Sequence, residues 1–459
     1  PLVFLKRISD VWDEEHAAAL EMYDGDEELA ALPENHRFTV PDGAHWADVR
    51  ATTSNVGRKL VTAMRAIESA NPDTLAGVFG DAEWTNKDLL SDATLTGLVE
   101  HFSAQTLSLA NLPEDELGNG YEYLIKRFAD DSGHTAQEFY TNRTLVHLMA
   151  RMLKAQPGES VYDPTCGTGG MLISCAAELK AQGKEHRTLR LYGQERNFTT
   201  SAIAKMNLFL HGVEDGHIAH GDTLANPHFL NKSGQLEQFD VVLANPPYSI
   251  RNWDREAFTN DPFGRNVWGV PPQNSADYTF IQHIATSMDP ETGRSAILLP
   301  HGVLERRSEV AVRRAMVESG MLEVVLGLGG GLFYNSAMEA VVVILRAERP
   351  EEQRDQVLFI DAVDLVARER AQSFLRPEHQ QAILSAYEGF TDVPGLAAVV
   401  NRKRIEANDY SLSIPLYVAV APGDSDSVPL EEAVAQWRDA ANSSDASVAS
   451  LLASLREGV

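Results

Sequence analysis

Between about residues 160 and 346 the chain repeats one pattern: a short apolar run, a helical or polar stretch, then another apolar run. The runs are Ser160–Asp163, Leu189–Glu195, His217–Asp222, Phe239–Ala244, Arg294–Leu299, Leu322–Gly327 and Ala340–Leu345. Strands that lie between helices on both faces of a parallel sheet read in this way, as nearly continuous apolar segments. The last two runs are separated only by the Gly-rich stretch 327–338, too short for a helical crossover, so they are expected to pair antiparallel. The expectation is an α/β fold with a seven-stranded, mostly parallel sheet and one reversed strand.

A chain of 459 residues exceeds one ordinary core. Residues 1–115 read as a helical N-terminal domain broken by turns such as Leu32-Pro-Glu-Asn and Asn71-Pro-Asp. Residues 116–365 form the catalytic domain, and 366–459 a helical or extended tail with a Pro422-Gly-Asp-Ser-Asp-Ser linker. The chain opens inside an apolar stretch without a starting methionine or a helix cap, which points to a trimmed start. No signal peptide is visible in Pro1-Leu-Val-Phe-Leu-Lys-Arg, and no apolar run comes near the ~20 residues of a membrane helix. Two cysteines, Cys166 and Cys175, exclude a disulfide framework and a Cys-rich zinc site and suit a reducing cytoplasm. The net charge of −27 repels a phosphate backbone, so a nucleic-acid substrate would require positive surface from another chain.

The sharpest motif is Asn245-Pro246-Pro247-Tyr248, directly after the run Phe239–Ala244. An exocyclic amine conjugated to a purine is a poor nucleophile. To attack a methyl sulfonium it must move towards sp3 and shed a proton, which neutral, rigidly placed acceptors favour. The Asn245 side-chain oxygen and the Pro246 carbonyl are the candidates, Pro246 and Pro247 stiffen the loop, and Tyr248 offers a face on which an extruded base can stack.

The second motif, Val161-Tyr-Asp163-Pro-Thr-Cys-Gly167-Thr168-Gly169-Gly170, reads as strand, glycine turn and helix start. Glycines permit a close approach to a ligand, and the helix N-terminus offers free amides to a carboxylate. The spacing is not Gly-x-Gly-x-x-Gly, which weakens a dinucleotide reading. Glu195 and Asp222, each ending a strand, are candidates for ribose hydroxyls and for the adenine amine of a cofactor. The loop Glu138-Phe139-Tyr140-Thr141-Asn142-Arg143 precedes a helix that Thr141 can cap, and is placed to close over the cofactor.

Together these motifs resemble the modification (M) subunit of type I restriction–modification enzymes. The resemblance rests on Gly120-Tyr-Glu-Tyr-Leu, Glu138-Phe-Tyr-Thr, Asp163-Pro-Thr-Cys-Gly-Thr-Gly-Gly, Tyr192-Gly-Gln-Glu, Gly221-Asp-Thr-Leu, Asn245-Pro-Pro-Tyr and Leu299-Pro-His-Gly-Val-Leu. Phe4-Leu-Lys-Arg-Ile-Ser-Asp and Asn408-Asp-Tyr-Ser-Leu-Ser-Ile-Pro extend it over nearly the whole chain, apart from the last ~40 residues. It implies the class I methyltransferase sheet, S-adenosyl-L-methionine as cofactor and methylation of adenine in duplex DNA. It also implies a DNA-specificity subunit that reads the target, with two copies of this chain per specificity subunit, and a restriction subunit as a further partner. It places Phe333 on the other face of the base. The chain departs from the family at Asn142, where proline is usual and whose absence should loosen the first helical turn. It also departs at Leu332-Phe-Tyr-Asn-Ser-Ala, which lacks the usual Thr-Gly-Ile-Pro.

Other features lead elsewhere. Gly327-x-Gly-Gly-Gly331 has no following Lys-Ser/Thr and reads as a flexible inter-strand loop rather than a phosphate cradle. His217 and His220 lack further ligands nearby in sequence, so no metal is expected. Cys166 reads as a small packed residue, and Asp277 receives no role. Two rival functions stay open: a protein-glutamine methyltransferase, whose acceptor is also a planar amide, and a cofactor-binding scaffold without turnover. The long N-terminal region and tail argue against the first, the intact Asn245–Tyr248 motif against the second.

Overall fold

The computed structural model describes residues 1–131, 141–213, 215–332, 339–369 and 372–419. Five helices build the N-terminal region: α1 (Leu2–Met22), α2 (Glu27–Ala30), α3 (Trp46–Arg50), α4 (Val56–Ala70) and α5 (Asp92–Ser103). α6 (Glu114–Asp131) and α7 (Arg143–Leu153) lead into the sheet. α8 (Gly170–Ala181), α9 (Phe198–Leu210), α10 (Arg255–Thr259), α11 (Asp277–Thr286) and α12 (Val310–Glu318) lie between its strands; α13 (Pro377–Gly389) and α14 (Arg402–Ala407) follow.

All seven apolar runs become strands: β1 (Ser160–Asp163), β2 (Arg190–Glu195), β3 (His217–His220), β4 (Val241–Ala244), β5 (Arg294–Pro300), β6 (Leu322–Leu328) and β7 (Ala340–Arg346). Their order across the sheet is β3-β2-β1-β4-β5-β7-β6, and β7 alone runs against its neighbours β5 and β6. This is the class I methyltransferase sheet that the alternation predicts. The sheet continues past it. β8 (Gln356–Ala362) pairs parallel with β6, β9 (Ala367–Glu369) and β10 (Gln372–Phe374) form a separate hairpin, and β11 (Ala397–Asn401) closes the edge antiparallel to β8. Among the described residues the sheet therefore has nine strands.

Both faces are covered, which is why β1, β4, β5 and β6 are buried along their whole length. One face holds Leu145, Leu148 and Met149 of α7, Leu172 and Leu179 of α8, and Ile383 and Leu384 of α13. The other holds Tyr278, Ile281 and Ile284 of α11, Val312 and Met316 of α12, and Ile405 of α14. A break at residue 365 is thus not where the packing stops, because α13, β11 and α14 share the two cores of the sheet. A third core joins Phe4, Leu5 and Ile8 of α1 with Leu60 and Ile67 of α4, and with Met206 and Leu210 of α9. The N-terminal helices therefore rest on a helix of the sheet domain, with Phe4 edge-on to Phe209 at 4.9 Å.

The Gly-rich stretch also differs from the expected loose loop. Gly327 lies inside β6, and a Cβ there would sit 2.6 Å from Ile414 Cδ1. A Cβ on Gly329 would sit 2.3 Å from the Val363 carbonyl oxygen. These glycines serve close backbone packing. No helix among the described residues is long and apolar enough to cross a membrane.

Candidate active site

The site collects at the C-terminal ends of β1, β2, β3 and β4, where a parallel sheet opens its ligand crevice. At the end of β1 the chain turns tightly, with Gly169 N donating to Cys166 O at 2.8 Å and Cys166 N to Gln194 O at 3.0 Å. Gly167 and Gly169 adopt φ of +53° and +82°, which glycine takes without a Cβ penalty. α8 then begins at Gly170, and its N-cap Gly169 has no side chain to cap the first amides. The three motif glycines and Thr168 do different work. A Cβ on Gly169 would meet Leu208 Cδ1 at 2.6 Å, so this glycine admits α9 rather than facing a ligand. A Cβ on Gly170 would meet nothing within 4 Å and would point into a cavity of about 50 Å³. Thr141, Thr168, Gly170 and Asn207 help line that cavity. Thr168 O accepts from Asn207 Nδ2 at 2.9 Å, while the buried Asn207 Oδ1 has no partner among the described residues.

The acids are less free than their strand-end positions suggest. Glu195 accepts from Gly167 N at 3.1 Å and from Asn197 N at 2.7 Å, so it sets the glycine turn. Asp222 Oδ1 accepts from Leu224 N at 3.0 Å and Ala225 N at 3.2 Å, and Oδ2 faces Arg196 Nε at 3.5 Å. Asp222 thus shapes its own turn. Asp222 Oδ1 already takes two donors, so the capacity for a further donor lies in Asp222 Oδ2 and in the Glu195 carboxylate. Asp163 is buried and accepts from Thr165 N at 3.0 Å. Burial, reinforced by the charge of Glu195, pushes its carboxyl up to about 7. Burial also raises Glu195. Thr223 Oγ1 donates to Pro164 O at 2.6 Å, tying the β3 turn to the β1 turn. Cys166 is packed, and burial pushes its thiol well above the usual range, which removes it as a nucleophile.

β4 delivers Asn245, and here the structure unites two motifs 104 residues apart. Asn245 Nδ2 donates to Thr141 Oγ1 at 3.0 Å. Because the amide nitrogen is occupied there, the oxygen is the end presented as acceptor. Tyr248 Oη donates to that Oδ1 at 2.7 Å, and a second lone pair remains for a substrate N–H. Tyr248 is therefore more than a stacking face: burial holds its hydroxyl above the ordinary range, so it stays a donor. Pro246 is buried and Pro247 exposed.

Two expectations for the preceding loop change. Thr141 does not cap α7; Asn142 does, its Oδ1 accepting from Thr144 N at 3.0 Å and from Thr144 Oγ1 at 2.8 Å. Asn142 Nδ2 also donates to Ser373 O at 2.8 Å, so asparagine anchors this turn rather than loosening it, and its side chain is spent on structure. Arg143 turns towards Glu122 of α6. Glu138, Phe139, Tyr140 and Phe333 lie outside the described residues. His217 stacks on Tyr192 at 5.1 Å and His220 Nε2 faces Arg196 O at 3.1 Å.

Asp277, without a role in the sequence, proves part of the site. Its Oδ1 accepts from Ser249 N at 2.8 Å, just past the Asn245–Tyr248 motif, and its Oδ2 pairs with Arg306 at 2.7 Å. Arg265 was also missed. It is buried with Asp261 and donates to Thr223 O at 3.0 Å and Leu224 O at 2.9 Å. Its signal in the sequence is only an ordinary i, i+4 charge pair.

A glycine turn onto a helix, acids at the next two strand ends and a neutral amide acceptor on β4 define a class I methyltransferase. Comparison with known proteins agrees. Residues 113–426 match the N-6 DNA methylase family, and residues 1–102 match the HsdM N-terminal domain. The type I restriction enzyme MjaVIII methylase subunit of Methanocaldococcus jannaschii is 30% identical over 83% of this chain, which spans 66% of that relative's length. A type I restriction–modification methyltransferase subunit from Streptococcus thermophilus superposes with a TM-score of 0.77 at 28% identity, covering 91% of this chain and 93% of that one. A class I S-adenosylmethionine-dependent methyltransferase from Listeria monocytogenes shares the fold, with a TM-score of 0.52 at 18% identity over 76% of this chain and 98% of its own. The chain belongs to the N-6 DNA methylase family.

The residues at the glycine turn fit one end of S-adenosylmethionine. The space before Gly170, the α8 N-terminus and an Asn207 Oδ1 without a partner among the described residues suit a small zwitterion. The cavity there is far below the ~300 Å³ at which whole-ligand pockets begin, and its lining does not include Glu195, Asp222 or Asn245.

Proposed function

We propose that this chain methylates the exocyclic N6 amine of adenine in duplex DNA, as the modification subunit of a type I restriction–modification complex in the cytoplasm. The observation that carries the reading is the Asn245 amide, oriented by Thr141 so that a neutral oxygen faces the crevice at the end of β4. When bound, S-adenosylmethionine supplies the electrophilic methyl group. Gly167, Thr168 and Gly170 would hold its amino-acid end, with Gly169 shaping the turn against α9 and Asp163 behind them; Thr141 and Arg143 border the same space, and Glu138, Phe139, Tyr140 and Asn142 complete that loop. Glu195 and Asp222 would take hydroxyl and amine donors from its nucleoside.

Asn245 Oδ1 and the Pro246 carbonyl accept the two amine hydrogens of an adenine flipped from the duplex. That stabilises the positive charge growing on nitrogen as the N–CH3 bond forms and the S–CH3 bond breaks. The surplus proton then leaves to solvent. Tyr248 supports one face of the base, and Phe333 is assigned to the other. The partners are a DNA-specificity subunit, with two copies of this chain for each, and a restriction subunit. The charge of −27 supports this division, since an isolated chain repels DNA. The match of residues 1–102 to the HsdM N-terminal domain gives the N-terminal helices a place that a protein-glutamine methyltransferase does not.

The test is a gel-shift and methylation assay at physiological salt, with the chain alone and with the specificity subunit. Site-specific N6-methyladenine is expected only from the pair. Site-specific methylation by the chain alone would refute the division of labour, and methylation of a glutamine peptide instead of DNA would refute the substrate.

A further inference from the structure

The catalytic loop is short and pinned at both ends. Its start follows β4, whose last residue Ala244 is fully buried, and is held laterally by the bond from Asn245 to Thr141. Its end is Ser249, a non-glycine residue at φ +53°, in the left-handed region that side chains resist. What holds Ser249 there is the buried Asp277 at the start of α11, 1% exposed, which accepts the Ser249 N–H at 2.8 Å.

Asp277 is itself fixed. Arg306 Nη1 donates to its second oxygen at 2.7 Å, to Ser275 Oγ at 3.2 Å and to the fully buried Glu309 at 3.2 Å. Arg306 Nη2 reaches Ser249 Oγ at 3.5 Å, so the same guanidinium touches the loop directly. Its backbone carbonyl accepts from the buried Arg313 at 3.1 Å. Two carboxylates that would repel each other are held by one cation, and the loop end hangs from one of them. A buried carboxylate without that partner would take up a proton or shift, and Ser249 would lose its acceptor.

We propose that Asp277 and Arg306 are positioning residues that set the geometry of the Asn245–Tyr248 loop from its far end. Among the described residues, their hydrogen bonds to the loop run through Ser249, not through Asn245 or Tyr248 themselves. Their effect is on how closely Asn245 Oδ1 and Tyr248 stay in the arrangement methyl transfer needs, where a displacement of about 0.5 Å is already costly. The proposal rests on the function assigned to that loop.

The experiment compares the full chain with Asp277→Asn and Arg306→Gln. Because Pro246 and Pro247 carry no N–H, hydrogen exchange of a peptide spanning 246–250 reports only on Tyr248, Ser249 and Ile250. Exchange is expected to be about tenfold faster or more in both variants. Single-turnover methyl transfer, measured with the specificity subunit, is expected to fall ten- to a hundredfold, with the dissociation constant for S-adenosylmethionine within twofold. Arg306→Gln alters a partly exposed side chain and decides the matter if Asp277→Asn does not fold. Unchanged exchange in folded Arg306→Gln would overturn the proposal even if activity fell, since Arg306 would then act on the substrate itself. Faster exchange with an unchanged rate would overturn it equally. If the wild-type complex methylates no DNA, the functional reading fails separately, and the exchange measurement still decides whether this couple holds the loop.

Discussion

Replacing Thr141 with valine tests the link between the two motifs. Valine keeps the shape of threonine and removes the acceptor for Asn245 Nδ2, now 3.0 Å away. Both side chains are half-buried, so the loss lies in the range of an ordinary neutral hydrogen bond, about 0.5–1.5 kcal/mol. That corresponds to roughly a two- to thirteenfold slower chemical step, at 1.36 kcal/mol per decade. It should show as a lower single-turnover rate at saturating cofactor, because Thr141 acts through the orientation of an acceptor. Thr141→Ser keeps the oxygen and should recover most of the rate. In an Asn245→Ala background Thr141→Val should have no further effect, so the coupling energy should equal the whole single-mutant effect. A Thr141→Val rate equal to wild type would refute the reasoning, as would a penalty that persists undiminished in the Asn245→Ala background.

Three further outcomes are expected. Gly170→Asp should weaken S-adenosylmethionine binding at least tenfold with little loss of stability, since its Cβ faces open space and its carboxylate would oppose that of the ligand; calorimetry and a melting curve check both. Tyr248→Ala should weaken capture of the base, read with a fluorescent base analogue at the target. Tyr248→Phe should be mild, because the ring face is kept and the Asn245 amide stays tied to Thr141 through its nitrogen. The Asp163 carboxyl, raised to about 7, binds a proton in the folded state that the unfolded chain has already released above about 4. Its contribution to stability is therefore present at low pH and lost as pH rises through 7. Asp163→Asn should gain melting temperature relative to wild type at pH 8 compared with pH 5, and equal differences at both would contradict this.

The sheet was legible because its strands are buried on both faces and so spell out as apolar runs. β1 and β4 are short, yet Ser160–Asp163 and Val241–Ala244 stand out beside the motifs they carry. β8 is just as apolar in Val357, Leu358, Phe359 and Ile360, but the seven-stranded expectation left no place for it. β11, with partly exposed Ala398 and Val399, carries a weaker signal. At the candidate site, the motif residues stood out by their type and order. Their partners were not: the Thr141–Asn245 and Asp277–Ser249 contacts join positions 104 and 28 residues apart. Sequence spacing constrains neighbours on one helix or strand, not which loops meet at the end of a sheet. The cap of α7 was misplaced by one residue because Thr141 and Asn142 are both competent caps, and only the structure shows Thr141 engaged elsewhere.

The central claim is that Asn245 accepts from a DNA amine during methyl transfer. The direct measurement is mass spectrometry of nucleosides from duplex DNA after a single turnover by the complex, with wild-type chain and with Asn245→Ala. The account predicts N6-methyladenine from wild type and a rate lower by roughly a hundred- to a thousandfold in Asn245→Ala, the loss expected for one preorganised acceptor, with cofactor affinity nearly intact. A single-turnover rate for Asn245→Ala within a few-fold of wild type, or a methylated product other than N6-methyladenine, would contradict it.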